Sequence, residues 1–221
     1  MKGFGRVKRA AFILDQVPSN GAVLHVGCTN SPTTLFTIAN DILLHKHLLD
    51  RCPNAVGIDI DEPSIAILKE HLPGAEIIAG DANNLSDYVG GRLFDLIIAA
   101  DVIEHLENPG LFLSACRDQL KDDGQVLVTT TNTFGVARFF KALLFHEAVH
   151  SEHTAYFSPK TLVRLGHLCG LETRRYGYYA CSAFSEGPSV NKALTNAIET
   201  MYATIWPQFS EGVIVEYRRS D

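Results

Sequence analysis

The sequence predicts an α/β protein in which helices cover both faces of a mostly parallel sheet. Short apolar runs alternate with helical patterns about five times along the chain. The runs are continuously apolar and do not alternate with polar residues, which is typical of strands buried on both faces. Polar or acidic residues follow several of these runs, as expected where the carboxyl ends of parallel strands form one ligand-binding edge.

Hydrophobic periodicity places the elements of the first half of the chain. A helix is predicted over 6–17, and turn residues end it at 18–21. The strand at 22–26 then meets Gly27 and a polar turn. From residue 33 to about residue 50, apolar residues return every three or four positions, which predicts a helix. Strand, helix and strand are predicted next at 55–60, 64–71 and 75–79.

The second half continues the alternation of strands and helices. A strand at 94–100, a helix at 111–120 and a strand at 125–130 follow in order. Ser158 and Pro159 begin a helix over 160–169, and Gly170 ends it. Two last strands are predicted at 171–180 and 212–217. Without repeats or linkers, residues 1–221 are predicted to form a single domain.

Composition limits the classes of function. The 221 residues are 46% apolar and 20% charged, which is ordinary for a soluble globular protein. The formal net charge of −6 argues against nucleic acid as a partner, because phosphate binding normally requires a basic face. The five scattered cysteines include no C-x-x-C pair, which favours reduced thiols. With no apolar signal core or spanning run, we expect a cytoplasmic protein.

Four strand ends carry the residues most specific for function. Gly27, Cys28 and Thr29 follow the first of these strands, and Asp59, Asp81 and Asp101 end or follow the next three. The segments VLHVGC (23–28), VGIDI (56–60), GDA (80–82) and FDLIIAADVIEHL (94–106) resemble the ordered motifs of class I S-adenosylmethionine-dependent methyltransferases. The run 101–106 most resembles the branch that contains the ubiquinone-biosynthesis O-methyltransferases.

This resemblance implies a Rossmann-like, doubly wound sheet of seven strands, mostly parallel, with an antiparallel last strand. It also implies S-adenosyl-L-methionine as the cofactor and S-adenosyl-L-homocysteine as its product. In this family Asp59 would accept hydrogen bonds from the ribose, and Asp81 with the Ala82 N–H would contact the adenine. The residues predicted to bind the cofactor are His25, Gly27, Cys28, Thr29, Asp59, Ile60, Asp81, Ala82 and Asp101.

The first motif departs from the family pattern. His25 stands where the family usually has an acid, and Thr29 and Ser31 stand where it has further glycines. An imidazole can hydrogen-bond the methionyl portion of the cofactor, but it does not attract the ammonium as a carboxylate does. This departure motivates an alternative, in which the domain binds cofactor or a partner without catalysis.

Two histidines are predicted to be catalytic, His153 first and His105 second. Imidazole titrates near neutral pH and can take a proton from an acceptor hydroxyl. His105 lies four residues after Asp101, so it has two other interpretations: a structural hydrogen bond, or a weak metal site with Glu104. The pair His150 and His153 also suggests a metal, but no third ligand is evident, so no metal is assigned.

The leading functional hypothesis is a methyltransferase that acts on a small apolar or aromatic molecule. The apolar segment 134–145 and the tyrosines of the strand at 171–180 favour such an acceptor. A nicotinamide-dependent oxidoreductase is disfavoured because the first turn lacks G-x-G-x-x-G. Residues 134–157 are predicted to form a lid, with 136–145 a candidate for peripheral membrane contact. A second insertion is predicted at 185–207, and the oligomeric state is not predicted.

Overall fold

Eight strands form one sheet in the described part of this computed structural model, which comprises residues 2–145, 149–179 and 205–220. The strands are β1 (Lys2–Val7), β2 (Val23–Val26), β3 (Val56–Asp59), β4 (Glu76–Ala79), β5 (Phe94–Ala100), β6 (Leu120–Thr131), β7 (Leu171–Tyr179) and β8 (Gly212–Arg219). Most of the second predicted insertion, 185–204, lies outside the described residues.

The strand order is β4-β3-β2-β5-β6-β8-β7-β1. Every pairing is parallel except those of β8, which runs antiparallel to both β6 and β7. After the edge strand β1, the chain enters the middle of the sheet with β2, winds outward to β4, and then returns to β5 beside β2 to build the other half. The predicted fold class, a doubly wound and mostly parallel sheet with an antiparallel last strand, is confirmed.

The sheet has one strand more than the predicted seven, because residues 2–7 pair with β7. The helix predicted over 6–17 begins only at Arg9 for this reason. Phe4 packs where Gly177 lacks a side chain: a Cβ on Gly177 would lie 2.0 Å from Phe4 Cε2. That fit is a tertiary contact and leaves no periodic signal in residues 2–7.

Eight helices are described: α1 (Arg9–Asp15), α2 (Thr34–Ala39), α3 (Leu44–Arg51), α4 (Glu62–His71), α5 (Leu85–Val89), α6 (Pro109–Asp118), α7 (Val136–Leu143) and α8 (Pro159–Leu168). The single helix predicted from 33 to 50 is wrong, because the chain breaks it into α2 and α3. Asp41 between them has a φ of 55°. This left-handed conformation interrupts a helix in L-residues.

Helices pack on both faces of the sheet, as the apolar strands predict. In β2, Leu24 and Val26 belong to a cluster with α6 and α8, whereas Val23 belongs to a cluster with α1 and α3. Successive strand residues point to opposite faces, so both faces are buried. No helix in the described ranges has both the length and the apolar content to cross a membrane.

Candidate functional site

A crevice of about 800 Å³ lies at the carboxyl ends of β2, β3, β4 and β5. The loops that follow these strands line it, together with residues 150, 152 and 153 from the segment after α7. The structure brings together most of the residues predicted for the site: Gly27, Thr29, Asp59, Ile60, Asp81, Ala82, Asp101, His105 and His153.

Gly27 makes the turn out of β2 and forms part of the crevice wall. Its φ is +71°, and a Cβ at this position would lie 2.4 Å from Val102 Cγ2. Its N–H donates to the carbonyl of Ile58 at 2.9 Å, which ties the turn to β3. Only glycine satisfies both the backbone conformation and the close approach, so the backbone itself faces the ligand here.

Asp59 is oriented by the loop that follows β2. Its Oδ2 accepts hydrogen bonds from the Thr29 backbone N–H at 2.9 Å and from the Thr29 hydroxyl at 2.8 Å. Its Oδ1 accepts from the Asp61 N–H at 3.1 Å. An ionised carboxylate has about four acceptor positions, so one remains for a ligand hydroxyl. Thr29 is thus the residue that holds the carboxylate in place.

Asp81 begins the loop at the far end of the crevice. Its Oδ1 accepts from the Asn83 N–H at 2.9 Å and so caps the short 3₁₀ turn Ala82–Asn84. Ile60 follows the last residue of β3, lines the same crevice and is 75% exposed. An exposed apolar side chain beside an acid suits a flat base that needs both stacking and a hydrogen bond.

Arg9 enters the crevice from α1 and forms an ion pair with Asp101. Asp101 has a φ of 58° and also accepts hydrogen bonds from the Tyr179 hydroxyl at 2.6 Å and the Thr129 hydroxyl at 3.2 Å. The guanidinium of Arg9 lies 5.5 Å from the centre of the Tyr179 ring. No local sequence pattern indicates this role for Arg9, because the pair joins residues 92 positions apart.

Glu104, His105 and His153 lie close together beyond the end of β5. His105 and His153 line the crevice, whereas Glu104 is buried. Thr154 holds the two segments together: its N–H donates to the Glu104 carbonyl at 2.8 Å and its hydroxyl to the Leu106 carbonyl at 2.8 Å. The rings of His105 and His153 are 4.6 Å apart and nearly perpendicular. The structure therefore places the two predicted catalytic histidines side by side.

The surroundings of this group shift the pKa of each of its three members toward the uncharged form. Burial raises the pKa of Glu104 to about 7, and the neighbouring Asp101 adds to the effect. Burial lowers the pKa of His153 to about 4, with His105 and His150 as further causes. Burial also lowers the pKa of His105, although Glu152 opposes that shift. Two neutral imidazoles therefore face the crevice.

A family model described as a methyltransferase domain matches residues 7–176. The chain belongs to this family. Curated relatives include ubiquinone biosynthesis O-methyltransferases from Dechloromonas aromatica (strain RCB), 25% identical over 161 residues, and from Mesorhizobium japonicum (strain LMG 29417 / CECT 9101 / MAFF 303099), 29% identical over 170 residues. These alignments cover 68% and 75% of this chain, but only 64% and 59% of the relatives.

Solved methyltransferase structures have the same fold. A SAM-dependent methyltransferase from Archaeoglobus fulgidus superposes with a TM-score of 0.61 at 14% identity, over 96% of this chain and 91% of that chain. Magnesium protoporphyrin IX methyltransferase from Synechocystis PCC 6803, solved with bound S-adenosylhomocysteine, gives 0.61 at 14% identity, over 96% and 80%. At these identities the likeness concerns the fold.

The methyltransferase crevice fits the family cofactor, S-adenosylmethionine. Gly27 leaves room for close approach of a ligand to the backbone, and acids stand at the ends of the strands that would meet the nucleoside. The individual ligand contacts of these residues stay predictions.

His25 and Cys28 of the methyltransferase lie in the protein interior, and their side chains are not part of the crevice wall. His25 Nδ1 is 3.2 Å from His45 Nδ1. Burial, helped by the opposite histidine and by Arg9, lowers the pKa of His25, and burial lowers that of His45 to about 4. The histidine in place of the family acid therefore contacts another histidine in this structure. The predicted contacts of these two side chains with the cofactor have no support from their positions.

The predicted lid of the methyltransferase divides into two parts. His150, Glu152 and His153 line the crevice, whereas the described residues from 134 to 145 are absent from its lining. Helix α7 instead exposes Phe139 and Leu143, at 64% and 63%. The tyrosines expected near the acceptor also lie elsewhere, except that Tyr179 contacts Asp101.

Proposed function

We propose that this protein transfers the methyl group of S-adenosylmethionine to a small acceptor with an apolar or aromatic body. The observation that carries the proposal is the arrangement of the crevice: acids lie at the ends of β3 and β4, and two neutral histidines lie beyond β5. Because adjacent strands are 4.7–4.9 Å apart, the three spacings from β4 to β5 extend about 14 Å. That length suits a nucleoside joined to an amino acid.

At the nucleoside end, the Asp59 carboxylate accepts hydrogen bonds from the ribose hydroxyls. Thr29 fixes the direction of this carboxylate, so the side chain loses little conformational entropy when the ligand binds. Asp81 and the Ala82 N–H meet the polar edge of the base, and Ile60 packs on its face.

At the amino-acid end, the pair Arg9 and Asp101 presents one charge of each sign to the crevice. A zwitterionic α-amino acid has the complementary pattern, with its carboxylate toward Arg9 and its ammonium toward Asp101. Asp101 therefore takes over part of the recognition of the ammonium that an acid at position 25 would provide in other members of the family, and Arg9 adds a charged donor for the carboxylate.

The bound cofactor supplies a methyl group already activated by the sulfonium, so the protein contributes mainly alignment and exclusion of water. An acceptor hydroxyl must lose its proton during transfer. His153, with His105 beside it, stands at the end of the crevice as a neutral base that takes this proton. Val102 and Leu106 line the same end and favour an apolar acceptor body. The relatives named as O-methyltransferases are consistent with transfer to oxygen.

Calorimetric titration with S-adenosylhomocysteine tests the proposal directly. We expect one site per chain, weakened in Asp59→Ala and unchanged in Asp122→Asn, whose side chain is fully exposed on the far end of β6. Absence of heat and of any thermal shift at millimolar ligand would overturn it.

A further inference from the structure

We propose that the protein binds a divalent first-row transition-metal ion through Glu104, His105 and His153. One ligand atom from each of these residues lies within 4.8 Å of the other two. Within 2–145, 149–179 and 205–220, no other group of histidine, cysteine and acidic side chains meets this condition. The inference goes beyond the proposed function, because methyl transfer from a sulfonium does not itself require a metal. His153 acts as a base only while the site is empty. With the ion bound, its imidazole is a ligand, and an acceptor hydroxyl bound to the ion would lose its proton to water more readily.

Glu104 gives an independent reason for a cation at this place. The residue is fully buried, with no exposed surface. Its Oε1 accepts a hydrogen bond from the Thr131 N–H at 3.3 Å, whereas its Oε2 has no partner among the described residues. A buried carboxylate oxygen without a donor or a cation is costly. The two imidazoles next to it supply the other ligand atoms of a metal site.

His153 also has a buried polar atom without a partner. Its Nδ1 is buried and has no hydrogen-bond partner in the described part of the chain. The backbone does not allow His153 to swing away freely, because the hydrogen bonds from Thr154 to the carbonyls of Glu104 and Leu106 fix its segment against the other two ligands. Glu104 Oε2 and His153 Nδ1 therefore belong to the same preformed group. The hydroxyls of Thr130 and Thr131 near Glu104 are also buried without a partner among the described residues, but a hydroxyl can donate its proton and does not need a cation.

The ligand types select the kind of metal. Two imidazoles and one carboxylate suit Zn²⁺ and other first-row transition ions, whereas Mg²⁺ and Ca²⁺ prefer ligand sets made of oxygen. Three protein ligands leave a coordination position open, as in catalytic zinc sites. Because His105 and His153 line the crevice, the open position faces the space assigned to the acceptor.

Neighbouring residues support the arrangement without supplying ligands. Glu152 Oε2 lies 4.0 Å from His105 Nδ1, and carboxylates commonly orient metal-binding histidines from the second ring nitrogen. Asp101 is engaged by Arg9, Tyr179 and Thr129, so it is not counted as a ligand.

Cobalt and zinc titrations test the site without any acceptor. The full chain is stripped with a chelator, dialysed, and titrated with Co²⁺ by visible absorption and with Zn²⁺ by calorimetry. We expect one ion per chain. The variants His105→Ala, His153→Ala and Glu104→Gln should each weaken binding by more than about 100-fold, the upper end of what loss of a ligand's hydrogen-bond partner costs. His71→Ala, on the exposed last turn of α4, should bind like the parent chain.

Two further measurements separate loss of the metal site from loss of folding and from loss of cofactor binding. Thermal melts in chelator show whether each variant is folded, and the partly exposed His105 and His153 allow a test even where Glu104→Gln does not fold. Titration with S-adenosylhomocysteine in chelator separates this site from the proposed function: retained cofactor binding without metal binding overturns only the metal site. Metal binding that survives both histidine variants, or that His150→Ala abolishes equally, would also overturn it.

Discussion

The hydroxyl of Thr29 donates a 2.8 Å hydrogen bond to Oδ2 of Asp59, and the Thr29 N–H donates a second bond to the same oxygen at 2.9 Å. These two bonds join the loop after β2 to the end of β3, where the ribose of the cofactor is proposed to bind. The family pattern has a glycine at this position, which offers no side chain. The threonine that stands in place of a family glycine therefore orients the carboxylate that is proposed to bind the ribose.

We therefore expect Thr29→Val to weaken S-adenosylhomocysteine binding by about 0.5–1.5 kcal/mol, the net value of one hydrogen bond. This corresponds to roughly 2- to 12-fold in affinity. Thr29→Ser keeps the hydroxyl and should bind like the parent chain. Calorimetry on both variants checks the prediction, and equal affinities for Val and Ser would show that the hydroxyl does not position Asp59.

Arg9 allows the two ends of the cofactor to be tested separately. Arg9→Gln should weaken S-adenosylhomocysteine binding by about 1.5–3 kcal/mol, because the carboxylate of the ligand loses a charged donor. 5′-Methylthioadenosine has the same nucleoside but no amino acid, so its affinity should not change. Asp59→Ala should weaken both ligands. If Arg9→Gln weakens the two ligands equally, Arg9 supports the crevice without contacting the amino acid.

The features of the site that depend on local sequence pattern could be predicted from the sequence. Periodicity and turn chemistry predict Gly27, Asp59 and Asp81 at strand ends, and these three residues do line one crevice. The partners of these residues depend on tertiary structure, so the pairing of Arg9 with Asp101 and that of His25 with His45 had no sequence signal. The same holds for β1, which forms because β7 offers it an edge.

The buried His25–His45 pair predicts a loss of stability in acid. Burial lowers the pKa of both groups, so the folded protein excludes protons that the unfolded chain takes up below about pH 6.5. Stability is therefore full above that value and falls as the pH decreases toward 4. Each histidine contributes at most about 1.4 kcal/mol per pH unit.

Other buried groups also titrate, so the test compares the pH dependence of stability in a variant with that in the parent chain. Urea unfolding at pH 7, 6 and 5 should show a smaller loss of stability in His45→Leu than in the parent chain, whatever the change at pH 7. His71→Ala, which removes an exposed histidine, should follow the parent curve. An equal loss in His45→Leu would mean that His45 is already protonated in the folded protein.

Methyl transfer should depend on His153 more than cofactor binding does. With any phenolic acceptor that supports turnover, His153→Ala should lower kcat by about 10²–10⁴, the usual share of general-base catalysis. Its affinity for S-adenosylhomocysteine should stay within about twofold of the parent value, since the ribose and base contacts are at the other end of the crevice. Full turnover in both His153→Ala and His105→Ala would show that neither histidine acts as a base and that the protein contributes only alignment of the cofactor and the acceptor.

Helix α7 is predicted to contact a membrane surface through its apolar side chains. Phe139 and Leu143 are 64% and 63% exposed, and Phe145 just beyond the helix is fully exposed. Such a patch usually marks an interaction site. Arg138 on the same helix pairs with Glu211 at 2.8 Å and lies over the Tyr156 ring, so it is not directed toward lipid headgroups. The binding energy is therefore expected from insertion of apolar groups.

Burial of one large apolar side chain contributes about 1.5–3 kcal/mol, so Phe139→Asp with Leu143→Asp should lower partitioning into phosphatidylcholine–phosphatidylglycerol vesicles by about tenfold or more. Leu168→Asp is the matched control, because Leu168 is equally exposed, at 64%, but lies at the end of α8. Co-sedimentation with vesicles measures all three proteins. If the parent chain stays in the supernatant, α7 does not contact the membrane. The same conclusion follows if Leu168→Asp loses binding to the same extent as the double variant. The apolar face would then be assigned to contact with another protein surface.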